Sequence, residues 1–248
     1  PREEELVAEL VRAFTQSERL QRHVRYLYAR GAVYKVTNGN LLFHGAVPMT
    51  ADGDFARETF EGQAYSGRAL FDYCDRRARA GYFAPPGSAA RLAGQDFLWY
   101  LWCGALSPIY GRSAMTTFER LYIADKAAYA ERKNPYYALV SGPGAAAVAE
   151  RILAEFGLSG EGCHILNGHV PVRAVEGEDP VKAGGRLVVI DGGFCRAYHR
   201  RTGIAGYTLI YNSWVMRIVS HQPFCGRKEA IEENKDIANS SQVFGRME

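Results

Sequence analysis

Residues 32–48 read Ala32-Val33-Tyr34-Lys35-Val36-Thr37-Asn38-Gly39-Asn40-Leu41-Leu42-Phe43-His44-Gly45-Ala46-Val47-Pro48, and this stretch decides the fold. Two short apolar runs flank Thr37-Asn38-Gly39. Asn-Gly between such runs predicts a tight hairpin, because both turn residues tolerate positive φ. The second run ends at His44-Gly45, which presents an imidazole at a strand end. The same form returns far downstream. Ile165-Leu166-Asn167-Gly168-His169 is followed by Val170-Pro171, again a strand, a Gly, a His and a short loop with Pro.

Outward from these runs the chain alternates helix-like and strand-like periods. Residues 3–30 have apolar side chains at helical spacing and predict one long amphipathic helix that stops at Gly31. Arg57–Phe60 and Gln63–Ser66 predict a second hairpin. Residues 66–83, 114–123 and 145–157 predict helices, with Ser66 as an N-cap of the first. Asp96–Cys103 is a further apolar segment, and its Trp99 and Trp102 suit core packing. Beyond Cys163 the chain is strand-rich: Cys163–Leu166, Arg186–Ile190, Tyr207–Tyr211 and Val215–Val219. Asn212-Ser213 is the expected turn of the last pair. Residues 227–234 predict a short terminal helix. No repeat or long linker divides the chain, so strands and helices share one mixed α/β (α+β) body.

Composition narrows the functional classes. The chain has 248 residues, 47% hydrophobic and 23% charged, which excludes a disordered chain. A net charge of +3 is too mild to announce a nucleic-acid or membrane surface. No apolar run approaches the ~20 residues of a membrane helix. The five cysteines are scattered and form no CxxC pair, which is the usage of a reduced, cytoplasmic protein.

Of six histidines, His44 and His169 stand apart. Two imidazoles lifted by Gly turns at the ends of adjacent strands can converge on one ion, and neutral imidazole is a strong ligand for Zn, Mn or Fe. A catalytic site needs more than two ligands. No Asp-x-His, Gly-Asp-x-x-Asp or Gly-Asn-His occurs in the chain to supply them. Asp191, in Asp191-Gly192-Gly193, either braces a histidine or caps its turn, and the turn is the favoured role.

Asn40–Pro48 resembles the late histidine motif of calcineurin-type metallophosphoesterases, and Asn167-Gly168-His169-Val170-Pro171-Val172 resembles their later Gly-His-x-Pro motif. Ser17–His23, Asp96–Gly104 and Ile190-Asp191-Gly192-Gly193-Phe194 are similar to class 3 fructose-1,6-bisphosphatases, the Firmicutes type. So is Thr202-Gly203-Ile204-Ala205-Gly206-Tyr207-Thr208-Leu209-Ile210-Tyr211-Asn212-Ser213, which is the most specific of these runs.

The resemblance implies a calcineurin-like β-sandwich flanked by helices. It implies hydrolysis of D-fructose 1,6-bisphosphate to fructose 6-phosphate and phosphate, in gluconeogenesis, at a dinuclear manganese centre. His44 and His169 would bind one metal, and Asn167 and Asp191 would support them from behind. The family's aspartates, first histidine and Gly-Asn-His lie upstream of the matched region. The expectation is therefore a C-terminal portion of the family chain, inactive alone, in which a homo-oligomer could shield exposed sheet edges. Arg196, Arg200, Arg201 and Tyr198 are the expected contacts of the sugar and its second phosphate, with Arg132 and Lys133 weaker candidates. A metallophosphoesterase of other specificity and a non-catalytic binding domain stay open as alternatives.

Overall fold

The computed structural model describes residues 2–114, 122, 124–125, 127, 132–193, 195–203, 206–221, 224, 226–233 and 239–246. It divides into two compact units, residues 1–33 and 34–248.

The first unit holds α1 (Arg2–Gln16) and α2 (Glu18–Arg30). The single helix expected over 3–30 is thus two. Ser17 interrupts it with extended backbone, and its Oγ accepts the Leu20 N–H. An N-capping serine satisfies a free helix donor better than a continuing helix would satisfy the serine. Gly31 does end α2, with its N–H on the Leu27 carbonyl.

In the second unit, β1 (Tyr34–Thr37) and β2 (Asn40–Phe43) form the expected hairpin. Asn38 and Gly39 both have positive φ, 49° and 73°. β3 (Glu58–Phe60) and β4 (Gln63–Tyr65) form the second hairpin. Then come α3 (Gly67–Phe83) and α4 (Ala89–Cys103), α5 (Tyr136–Leu139) and α6 (Ala145–Glu155). Ser66 precedes α3 as expected, but its side chain does not cap. Glu155, at the end of α6, accepts the Arg68 N–H instead, placing a carboxylate at the positive end of α3. The helix expected over 114–123 lies largely outside the described residues.

β5 (His164–Asn167), β6 (Val181–Lys182) and β7 (Leu187–Val189) complete a five-stranded sheet of order β1-β2-β5-β7-β6. β2, β5 and β7 run parallel. Every residue of β5 and β7 is buried, as strands covered on both faces require. One face packs Phe43, Phe71, Tyr136 and Phe156 edge to face, with centroids 5.3–6.0 Å apart. α3 contributes Leu70, Phe71, Cys74 and Ala78 at helical spacing, and α6 contributes Ala145, Ala149, Ile152 and Leu153.

The short helix α7 (His199–Thr202) leads to β8 (Gly206–Tyr211) and β9 (Val215–His221). The turn between them is held by Asn212, whose Oδ1 accepts the N–H groups of Trp214 and Val215. After α8 (Arg227–Glu232), β10 (Asn239–Arg246) pairs with β9 and makes a three-stranded sheet. The sequence reading missed β10. Its polar run Asn239-Ser240-Ser241-Gln242 carries little strand signal, and pairing to β9 overrides that.

The tryptophans are a further correction. Trp99 and Trp102 contact each other edge to face but are 63% and 51% exposed. α4 buries Gly94, Phe97 and Leu101, so the tryptophans lie off its core stripe. The observed architecture is mixed α/β. Among the described residues, no helix is long and apolar enough to cross a membrane.

Candidate metal and phosphate site

Parallel pairing brings the two histidine motifs together. Leu42 pairs with Leu166 in register, so His44 and the Gly168-His169 turn leave adjacent strands at the same carboxyl end. That end of an open sheet is where ligands bind in parallel α/β folds. The Gly168 N–H donates to the His44 carbonyl at 3.1 Å, which extends the pairing past the strands. His44 Nε2 and His169 Nδ1 then face each other at 3.0 Å, with the rings 73° apart.

Each loop is held by specific contacts. Gly45 sits where a Cβ would come within 2.4 Å of the Pro108 carbonyl oxygen and 2.6 Å of that of Ile109, so a side chain cannot be placed there. Asn167, 3% exposed, donates through Nδ2 to the Gly45 carbonyl at 3.2 Å and to the Tyr136 hydroxyl at 3.1 Å. Tyr137 donates its hydroxyl to the same Gly45 carbonyl. Asn167 therefore fixes the loop behind His44 while ending the strand that leads to His169. His169 itself has φ 70°, the left-handed region, and the Val170 N–H bonds back to the Gly168 carbonyl. This is the rare γ-turn with a positive central φ, a strained way to aim one side chain.

Burial disfavours the charged form of both imidazoles. Burial lowers the His44 pKa, opposed by the Asp191 carboxylate. Burial, then His44 and Arg112, push His169 down to about 4, opposed by a backbone hydrogen bond to Tyr110 and by Asp191. Neutral imidazole is the form that ligates metals. Two nitrogens about 2.1 Å from one ion, at right angles, stand about 3 Å apart. The observed 3.0 Å pair thus fits two neighbouring positions on one metal. Among the described residues, no group of three or more His, Cys, Asp or Glu side chains could hold an ion. The pair fits part of a metal site and does not complete one.

Asp191 follows β7, the next parallel strand. Its Oδ1 accepts the Gly193 N–H at 2.9 Å and its carbonyl accepts the Val172 N–H at 2.8 Å. It caps its own turn, and its charge is still felt at both histidines. Arg196, Tyr198, Arg200 and Arg201 follow that turn and are all exposed. Tyr198 packs over Gly193.

The residues lining a neighbouring cavity of about 380 Å3 include Lys133, Arg173, Lys182, Glu178, Gly168 and Val170. Of the cations named from the sequence, Lys133 alone is among them. Arg173 and Lys182 carried no sequence signal. They are isolated cations, one before a short 3-10 turn and one in the two-residue strand β6, and only the tertiary fold puts them beside the His169 turn.

A family model described as Firmicute fructose-1,6-bisphosphatase matches residues 1–248. The class 3 fructose-1,6-bisphosphatase of Clostridium novyi (strain NT) is 50% identical over 242 residues, which are 98% of this chain and 36% of that protein. The class 3 enzyme of Listeria monocytogenes serotype 4b (strain F2365) is 45% identical over 98% of this chain and 37% of its own length. That of Clostridium botulinum (strain Langeland / NCTC 10281 / Type F) is 46% identical over 243 residues. The chain spans little more than a third of the length of these curated relatives. No solved structure matches.

Proposed function

The chain belongs to the Firmicute fructose-1,6-bisphosphatase family, and from that premise we propose that it forms part of an enzyme hydrolysing D-fructose 1,6-bisphosphate to fructose 6-phosphate and phosphate. The observation that carries this reading is the facing pair His44 and His169 at the ends of parallel strands. Membership implies a metal cofactor. Manganese at a dinuclear centre in a calcineurin-like sandwich is our finer reading, as are a cytoplasmic location and a role in gluconeogenesis.

In this reading His44 Nε2 and His169 Nδ1 hold one metal, and further ligands come from outside the described residues. When bound, the metal supplies positive charge beside the phosphoryl oxygens and makes water nucleophilic at neutral pH. The chain's own residues set the geometry. The left-handed turn at His169 aims its ring at His44. Asn167 and Tyr137 hold the His44 loop through the Gly45 carbonyl. Two neutral ligands leave the site cationic, which suits a phosphate dianion. Asp191 supplies long-range negative charge without ligating. Arg196, Tyr198, Arg200 and Arg201 are exposed in the segment that follows the Asp191 turn, and in this reading they form a basic rim. Such a rim suits capture of an anionic substrate by long-range attraction.

The test is manganese-dependent phosphate release from fructose 1,6-bisphosphate by the full-length protein carrying this chain. His44→Ala and His169→Ala are expected to abolish it. Wild-type turnover in either variant removes the metal assignment. Preference for a phosphopeptide or a dinucleotide over the sugar bisphosphate replaces the substrate class.

A further inference from the structure

The cavity beside the His169 turn is electrostatically unbalanced. Lys133, Arg173 and Lys182 reach it, and Glu178 is the carboxylate among its lining residues, while Arg173 also pairs with Glu176 at 2.8 Å beyond the lining. The Glu178 carboxylate is already engaged. Its Oε1 pairs with Lys182 Nζ, and its Oε2 accepts the Arg173 backbone N–H at 2.9 Å with the guanidinium Nε at 3.8 Å. Lys133 has no carboxylate partner among the described ion pairs, and its Nζ lies 5.9 Å from the Tyr137 ring centroid. Its ammonium is disfavoured first by burial and then by Arg173, with Arg112 and Lys182 adding to the repulsion and Glu178 opposing it. A partly buried ammonium beside other cations, with no carboxylate of its own, is costly unless an anion joins it.

The cavity is also built for a ligand in shape and position. Its volume of about 380 Å3 falls in the range of small-molecule sites. Lys182 has 18% of its side chain exposed and Arg173 has 56%. Gly168 and Val170 belong both to the wall and to the γ-turn that carries His169. Arg112, bridged to Lys133 through the backbone, is felt electrostatically at His169 and at Lys133 alike.

We propose that this cavity binds a phosphate monoester, with Lys133, Arg173 and Lys182 as its cationic contacts. The part that concerns substrate rests on the bisphosphatase reading: there, the occupant is the phosphate that is not cleaved. A phosphorylated effector has the same chemistry, and the experiment separates the two sources. A dianion supplies the acceptor oxygens that Lys133 lacks and relieves its repulsion from Arg173.

The primary test titrates the full-length protein with inorganic phosphate, by calorimetry and by the chemical shift of the phosphorus nucleus. Lys133→Gln and Arg173→Gln should each weaken binding about tenfold or more. Lys133→Arg should largely restore it. Unchanged melting temperatures show that the variants fold. Failure of phosphate to bind the wild type, or unchanged affinity in the double Gln variant, overturns the proposal.

Kinetics then assign the source. A raised KM for fructose 1,6-bisphosphate, with little change for a sugar monophosphate, identifies the substrate's second phosphate. An unchanged KM alongside lost phosphate binding identifies an effector site. A protein that binds phosphate here yet never hydrolyses the bisphosphate refutes the function reading while sustaining the cavity.

Discussion

His44 Nε2 and His169 Nδ1 face each other at 3.0 Å although they lie 125 residues apart in sequence. Neither ring is aimed by its own strand alone. His44 depends on a glycine that lets the backbone press against Pro108 and Ile109, and His169 depends on a backbone angle that side chains rarely adopt.

The strain at His169 predicts a trade between stability and ligation. His169→Gly relieves the left-handed φ and should raise stability by about 1 kcal/mol net of the entropy cost of glycine. It should also lower manganese affinity. His169→Ala removes the imidazole and keeps the strain. Urea midpoints and manganese titrations of both variants check this. A destabilised His169→Gly would show that the turn is not strained.

Gly45→Ala places a methyl against two backbone carbonyl oxygens that cannot rotate away. The expected loss is about 1–3 kcal/mol, together with weaker manganese binding as the His44 loop shifts. Gly162→Ala is the control, because a Cβ there meets nothing within 4 Å and φ is not positive. Equal melting temperatures for the two variants would refute the close-approach argument.

Glu178 predicts an acid limb of stability. Burial pushes its pKa up, but hydrogen bonds from Lys182 and the Arg173 N–H outweigh that and hold it below the usual carboxylate value. A depressed carboxylate contributes stability that is fully present above the unfolded value. That contribution is lost as pH falls through the folded one. The gap in melting temperature between wild type and Glu178→Gln should therefore shrink on acidification from pH 6 to pH 3. A gap independent of pH would remove Glu178 from the balance.

Thiol labelling should separate two cysteines. Cys74 is fully buried on α3, and burial, with Glu58 and Asp75, pushes its thiol up to about 12. Cys195 is exposed. A disulfide reagent at pH 8, read out by peptide mapping, should modify Cys195 in the folded protein and Cys74 only in denaturant. Equal rates would mean that the core face of α3 opens readily.

Much of the local structure was legible because its causes are local. Asn38-Gly39 specifies a turn through its own tolerance of positive φ. The apolar spacing of residues 67–81 specifies the buried face of α3. Ser17 was misread as helix interior and β10 was missed, since capping and edge pairing leave weak traces in composition. The two histidine motifs were recognisable as a repeated strand–His–loop form. Their meeting was only an expectation, since two strand ends can lie anywhere on a sheet.

The amino-acid order was enough to settle the mixed α/β class and the hairpins, and it singled out His44 and His169 among six histidines as candidates. Folding settled the rest. It made β2 and β5 parallel neighbours. It turned Asn167 into the clamp on the Gly45 carbonyl, and it gathered Lys133, Arg173 and Lys182 around one cavity. The physical reason is range. Turns, caps and periodicity are set by interactions within a few residues. Strand partners and charge clusters are set by which distant surfaces bury one another, and that is a property of the whole packed chain.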